Sequence, residues 1–263
     1  MDLGLRDKVA LVAASSQGLG LAVAEEFAAE GAKLILCARG EDALRKASDT
    51  IAASAGVETL AVTGDLTSGD EVERIVNSAI DRFGHIDILV TNAGGPPSGT
   101  FDTLTAEDWE DGIRSLLTSV TQMTRLVLPG MKERGWGRIL CITSIAAKQP
   151  VEGLMLSNSV RAAVTGFAKT LSNEVAEFGI TVNTILPGYT ATERVQELAE
   201  ALAQREGLDA SAIRARWESE IPMRRLGRPK EFAALAAFLV SERASYITGG
   251  SIAVDGGWIK SLL

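Results

Sequence analysis

Gly18 and Gly20 stand between an apolar run, Val9–Ala13, and a helical pattern, within Ala13-Ala14-Ser15-Ser16-Gln17-Gly18-Leu19-Gly20. Glycines so placed let backbone N–H groups approach a pyrophosphate that rests on a helix N-terminus. A Gly-x-Gly alone says little; its position after the first strand and before the first helix gives it weight. The chemistry is phosphate binding, and Ala14, Ser16, Gln17, Gly18, Leu19 and Gly20 are its candidate contacts. The second apolar run ends in Cys37-Ala38-Arg39. An NAD site places an acid here, which binds the ribose hydroxyls and repels a 2′-phosphate. No acid is present, and Arg39 offers a planar guanidinium that pairs with such a phosphate. The residues favour NADP(H) over NAD(H). A surface arginine after a strand is the competing reading.

The frame that positions these residues is read from periodicity. Strand candidates are Val9–Ala13, Lys33–Ala38, Thr59–Thr63, Ile86–Thr91, Arg138–Thr143, Thr181–Leu186 and Ser251–Val254. They are continuously apolar rather than alternating, as strands buried on both faces are. Helical patterns cover 19–30, 41–54, 69–83, 105–133, 157–178 and 229–240. Strand–helix alternation predicts an α/β fold, a single-domain doubly wound parallel sheet of Rossmann-like type, about seven strands with helices on both faces. Residues 190–221 break the rhythm. Glu193–Gln204 is an Ala-rich helical run and Gly207 interrupts it. Ligands of open α/β sheets sit beyond the strands' carboxyl ends, so this insertion is a candidate substrate lid, with a peripheral packing role as the alternative.

Bulk composition sets outer limits. The 263 residues, 46% of them hydrophobic, suit one domain over 1–263 without an internal linker. Lys and Arg number 26 against 34 Asp and Glu, a net charge of -8. That argues against a broad nucleic-acid or anionic-membrane surface. Cys37 and Cys141 sit in apolar runs and read as buried thiols, with neither a disulfide nor a metal site implied. His85, the sole histidine, reads as an exposed loop residue. No secretory signal and no apolar run of ~18 residues is visible, so the cytoplasm is the expected location.

Further stretches carry a family likeness. Asp7-Lys8-Val9-Ala10-Leu11-Val12 with its glycine turn, Gly64-Asp65-Leu66, Thr91-Asn92-Ala93-Gly94, Ile142-Thr143-Ser144, Pro187-Gly188, Arg225-Leu226-Gly227-Arg228-Pro229 and Val254-Asp255-Gly256-Gly257 follow in order. Over 5–258 the chain resembles the short-chain dehydrogenase/reductase family, with the flavour of its 3-oxoacyl-acyl-carrier-protein reductases. The resemblance implies that Asp65, with Leu66 beside it, holds the adenine amino group. It implies that Asn92, Ala93 and Gly94 line the adenine-ribose side, and that Pro187, Gly188 and Thr192 lie beside the nicotinamide. It also implies a small carbonyl or acyl substrate and a homotetramer built partly on the C-terminal strand and the 157–178 helix.

The chain departs from the family pattern where reaction chemistry is expected. Ala14 replaces the first glycine of the turn, which strains the backbone only if its φ is positive. Ser144 matches the family serine. Where Tyr and Lys are expected stand Ser157 and Arg161, spaced i,i+4 on one helix face, and Leu116 stands in place of Asn. A serine hydroxyl is a far weaker acid than a tyrosine, and an arginine keeps its proton. Ser144, Ser157 and Arg161 can therefore form an oxyanion site, and Arg161 can also meet an anionic substrate group. Tyr189, after Pro187-Gly188, is a candidate displaced proton donor, with a hydrophobic lid contact as the competing reading. The expectation is an NADP(H)-dependent carbonyl/alcohol oxidoreductase with an atypical site. The alternative is a catalytically silent dinucleotide-binding sensor or assembly protein. The charges of 190–221, Arg194 among them, read as a solvated helix face.

Overall fold

The apolar runs form the seven strands of one parallel sheet in the computed structural model, which describes residues 2–262. They are β1 (Val9–Ala13), β2 (Lys33–Ala38), β3 (Thr59–Thr63), β4 (Ile88–Thr91), β5 (Gly137–Ile142), β6 (Ile180–Pro187) and β7 (Ser251–Val254), in the spatial order β3-β2-β1-β4-β5-β6-β7. Every pairing is parallel. The helices are α1 (Gly18–Ala29), α2 (Glu41–Ala55), α3 (Gly69–Phe83), α4 (Ala106–Ile113), α5 (Ser119–Arg134), α6 (Met155–Val175), α7 (Glu193–Glu206), α8 (Ala210–Glu220) and α9 (Pro229–Val240).

Alternation along each strand feeds two cores. Ala10 and Val12 of β1 face α1, α2 and α9, where Phe27, Leu44 and Phe232 are buried. Val9, Leu11 and Ala13 face α3, α5 and α6, where Ile75, Met123 and Val164 are buried. β1 is apolar at every position because both its faces are dry. Strand order reverses at β1, between β2 and β4, and this opens the crevice in which such sheets take ligands.

One expectation needs correction and another gains a detail. The helical pattern over 105–133 is not one helix: a π-helical turn, Arg114–Thr118, separates α4 from α5. The wider turn buries Leu116 against Leu156 and Val160 at the start of α6. Gly112 lets α4 cross there, since a Cβ on it would lie 3.1 Å from Leu156. His85 is a part-exposed loop residue, and the structure adds a partner: its Nε2 lies 3.1 Å from Asp87 Oδ2. Asp87 in turn accepts from the Val9 N–H at 3.1 Å, so the pair braces the entry to β1.

Residues 190–221 form the hairpin α7–α8. Ala199, Ala203, Ile213 and Trp217 give it a small core of its own. Gly207 ends α7 with φ 69, a conformation open to glycine. Cys37 and Cys141 are buried and free, and burial pushes their thiols up to about 12 and about 11.

Candidate active site

The phosphate end is made mainly of backbone. Gln17 precedes α1 in extended geometry, φ -160, with no side chain capping the helix and no acid in its first turn. The first N–H groups of α1 are thus left for a ligand, at the positive end of the helix dipole. Gly18 has φ 61, and a Cβ on Gly20 would lie 2.2 Å from the Ala14 carbonyl oxygen. Ala14 has φ 48, so its methyl does strain the turn, by about 1–2 kcal/mol. Ser15 has a structural task that the sequence did not reveal. Its hydroxyl donates to the Val12 carbonyl at 2.8 Å and accepts from the Cys37 N–H at 3.2 Å, which ties the ends of β1 and β2. Arg39 is exposed at the end of β2, without a hydrogen bond or ion pair among the described residues. Asp65, half-buried after β3, accepts from the Thr67 N–H through Oδ1 at 2.9 Å. Leu66 points into the core beside α3. Asn92 and Ala93 are half-buried and Gly94 is exposed after β4. These groups fit a dinucleotide laid across the carboxyl ends of β1–β4: an uncapped helix for the pyrophosphate, a free arginine for a 2′-phosphate, and no acid beside it.

The reaction end is made of side chains. Ser144 follows β5 and caps the short turn Ile145–Ala147, accepting from the Ala146 N–H at 3.1 Å; its own O–H is left to donate. Ser157 lies in the first turn of α6 and is only 7% exposed. The other hydroxyls of this helix bond back to helix carbonyls, Ser159 to Met155, Thr165 to Arg161, Thr170 to Gly166 and Ser172 to Lys169. The Ser157 hydroxyl has no partner among the described residues.

One turn on, Arg161 is 9% exposed, and its Nη1 donates to the Thr143 carbonyl at 2.8 Å and the Ile142 carbonyl at 3.3 Å. No carboxylate pairs with it among the described residues. Burial, and then the charge of Arg194, push its pKa down to about 10, which leaves it cationic at neutral pH. A small void of about 10 Å³, room for one water, lies between Arg161, Asn92, Thr143 and Leu116. The buried Thr143 Oγ1 has no hydrogen-bond partner among the described residues.

The α7–α8 hairpin starts beside the glycine turn. Thr192 caps α7, accepting from the Val195 N–H at 3.4 Å. Its methyl stands 3.9 Å from where a Cβ on Gly18 would be. Pro187 ends β6, and Gly188 is glycine for a packing reason: a Cβ there would lie 2.7 Å from Asp255 Cα. Tyr189 stacks on Trp217 at 4.5 Å and meets Trp258 edge-on at 6.1 Å. Burial, with Glu220 adding to it, raises its pKa to about 12. These ring contacts and the raised pKa favour the lid-contact reading of Tyr189 over the proton-donor reading. Arg194 lies on the solvated face read from sequence, half exposed and 3.6 Å from Glu197, and its Nη2 also lies 3.4 Å from the Pro96 carbonyl oxygen. Helix periodicity could not reveal that second contact, since the partner is 98 residues away.

Residues 13–259 match the family model described as enoyl-(acyl carrier protein) reductase. The chain belongs to the short-chain dehydrogenase/reductase family. The 3-oxoacyl-(acyl-carrier-protein) reductase FabG of Vibrio cholerae is 34% identical over 97% of this chain and 98% of its own. The D-beta-hydroxybutyrate dehydrogenase of Cupriavidus necator is 36% identical over 97% and 99%. Among solved structures, the L-sorbose reductase of Gluconobacter frateurii, complexed with NADPH and L-sorbose, superposes with a TM-score of 0.95 at 37% identity, covering 100% of both chains. Among the described residues of this short-chain dehydrogenase/reductase, no helix is long and apolar enough to cross a membrane and no group of potential metal ligands is present.

Proposed function

We propose that the protein is an NADP(H)-dependent carbonyl reductase whose reaction site is a hydrogen-bonding and cationic pocket instead of a tyrosine acid. The observation that carries this reading is Ser157, a buried residue one helical turn from Arg161 whose hydroxyl its own helix does not use. The sorbose reductase with its NADPH and the FabG relative support the cofactor and the reaction class.

The uncapped α1 N-terminus and the 14–20 turn hold the pyrophosphate, and Arg39 reads the 2′-phosphate. When bound, the reduced nicotinamide supplies a hydride to the carbonyl carbon. Ser144 and Ser157 donate to the carbonyl oxygen, and the Arg161 charge stabilises the negative charge that develops there. Arg161 does not give up its proton at neutral pH, so the proton comes from water, for which the void beside Asn92 and Thr143 has room. The α7–α8 hairpin closes over this centre and excludes solvent. A cytoplasmic homotetramer, with the exposed edge of β7 in one interface, completes the proposal.

The competing reading, a silent dinucleotide-binding protein, draws on Ser157, Arg161 and Leu116 standing where the family has Tyr, Lys and Asn. Titration with NADPH and NADH, followed by carbonyl-dependent NADPH oxidation, separates the two. Saturable binding tighter for NADPH, with turnover, is expected. Binding without turnover across a broad carbonyl panel favours the silent protein, and no binding sinks both.

A further inference from the structure

Ser144 and Ser157, the two hydroxyls of the reaction end, stand at opposite ends of one loop, residues 145–156. The Ser144 end is fixed by its own turn. Ser144 Oγ accepts from the Ala146 N–H at 3.1 Å, and the Lys148 and Gln149 N–H groups donate to the Ile145 carbonyl at 2.9 and 3.0 Å. The Ser157 end has no such device in front of it. Leu154 precedes α6, and an apolar side chain cannot cap a helix. What holds this end comes from inside the helix. Asn158, next to Ser157, turns its carboxamide back onto Val151: Oδ1 accepts from the Val151 N–H at 3.1 Å and Nδ2 donates to the Val151 carbonyl at 3.0 Å. A carboxamide carries both a donor and an acceptor, so one side chain satisfies both backbone groups of a loop residue. Ser159, Thr165, Thr170 and Ser172 bond within α6, whereas Asn158 reaches back to the loop. Two further contacts tie the same loop to other elements. The Gly99 N–H donates to the Gly153 carbonyl at 2.7 Å, and the Lys260 N–H donates to Gln149 Oε1 at 2.9 Å.

We propose that Asn158 is a positioning residue for the reduction: its two bonds to Val151 fix the loop and the first turn of α6, and so set the Ser157 hydroxyl relative to that of Ser144. This rests on the reductase reading above and adds to it a residue that acts through its neighbours. Two donors serve one developing oxyanion only while both point at the place where it forms. Displacing one of them by about 1 Å costs on the order of 10²-fold in rate. Ser157 lies in the first helical turn, where helices fray, and the clamp at Asn158 closes that turn onto the loop. Arg161 has its own anchor on the Ile142 and Thr143 carbonyls, so loss of the clamp reaches Ser157 first. Asn158 itself gives and takes no proton.

The test compares the wild type with Asn158→Ala and Asn158→Asp in NADPH oxidation, with ethyl acetoacetate, L-sorbose and the other carbonyls of the panel. Asn158→Ala removes both bonds, and kcat should fall roughly 10–100-fold with KM and NADPH affinity little changed. Asn158→Asp keeps an acceptor for the Val151 N–H, and its kcat should lie between the two. Amide hydrogen exchange gives a readout that needs no turnover. In Asn158→Ala the amides at 151 and 158, the second of which donates to the Leu154 carbonyl at 2.9 Å, should exchange faster, while those of β5 and β6 should not. Unchanged kcat, or an unchanged amide at 158, overturns the proposal. So does a fall in kcat that comes with lost NADPH binding or faster exchange across the sheet, which marks a folding role. Where Asn158→Ala does not fold, Asn158→Asp carries the same comparison, and a kcat equal to that of the wild type overturns the proposal. A wild type that reduces no carbonyl of the panel ends the reductase reading, and this role with it. A wild type that is active, beside an Asn158→Ala that is equally active, ends this role alone.

Discussion

The ends of β1–β4 and the ends of β5–β6 form two halves of one cleft, and they are built from different materials. The first half offers mainly backbone: the open N–H groups of α1, a glycine turn, and a Gly20 that only glycine can occupy. The second half offers side chains: the Ser144 and Ser157 hydroxyls and the Arg161 cation. A backbone site tolerates a change such as glycine to Ala14 at the cost of local strain, because the donors stay where they are. A side-chain site changes its chemistry with each substitution. The family's ligand-binding scaffold can thus persist while its proton chemistry is replaced.

The comparison breaks most visibly at Arg161. Arg161→Gln removes the charge that stabilises the oxyanion, and turnover should fall roughly 10²–10³-fold with NADPH affinity nearly unchanged. If turnover survives, the cation has no part in the reaction. Arg39→Ala tests the other half. Loss of one charge-assisted phosphate contact, worth about 1.5–3 kcal/mol, should weaken NADPH binding about 10–100-fold and leave NADH binding untouched. Parallel titrations of both cofactors check this.

Ala14→Gly sharpens the claim that the backbone half is strained but intact. Relief of φ 48 should stabilise the protein by about 1 kcal/mol, visible as a higher midpoint in denaturant, with cofactor binding equal or tighter. A loss of stability would mean that the methyl packs usefully. The smallest effect belongs to Tyr189→Phe. With the tyrosine pKa raised to about 12, the hydroxyl stays protonated across pH 6–9 and contributes no titration there, so rate and pH profile should shift by less than about twofold. A collapse of turnover would restore Tyr189 as the proton donor.

Much of the frame was legible without coordinates. The limits of β1, β2, β3, β7, α3 and α9 coincide with their apolar and helical patterns, because strands with two dry faces leave unbroken apolar runs. The pairing of Ser157 with Arg161 on one helix face was legible too, since i,i+4 spacing is local. The sequence could not announce the π-helical turn at 114–118, in which no residue type breaks the helical pattern.

Local chemistry along the chain was enough for the doubly wound class, the glycine turn, the absence of an acid at Arg39 and the unusual Ser157–Arg161 pair. Whether Ala14 is strained, which hydroxyl is left without a partner, and that Arg194 reaches the Pro96 carbonyl were decided only by the tertiary structure. Each of these depends on atoms far apart in the chain: the sign of a backbone angle set by packing between β1 and α1, a carbonyl that does or does not accept, and a glycine at 95 that leaves room for a side chain from 194.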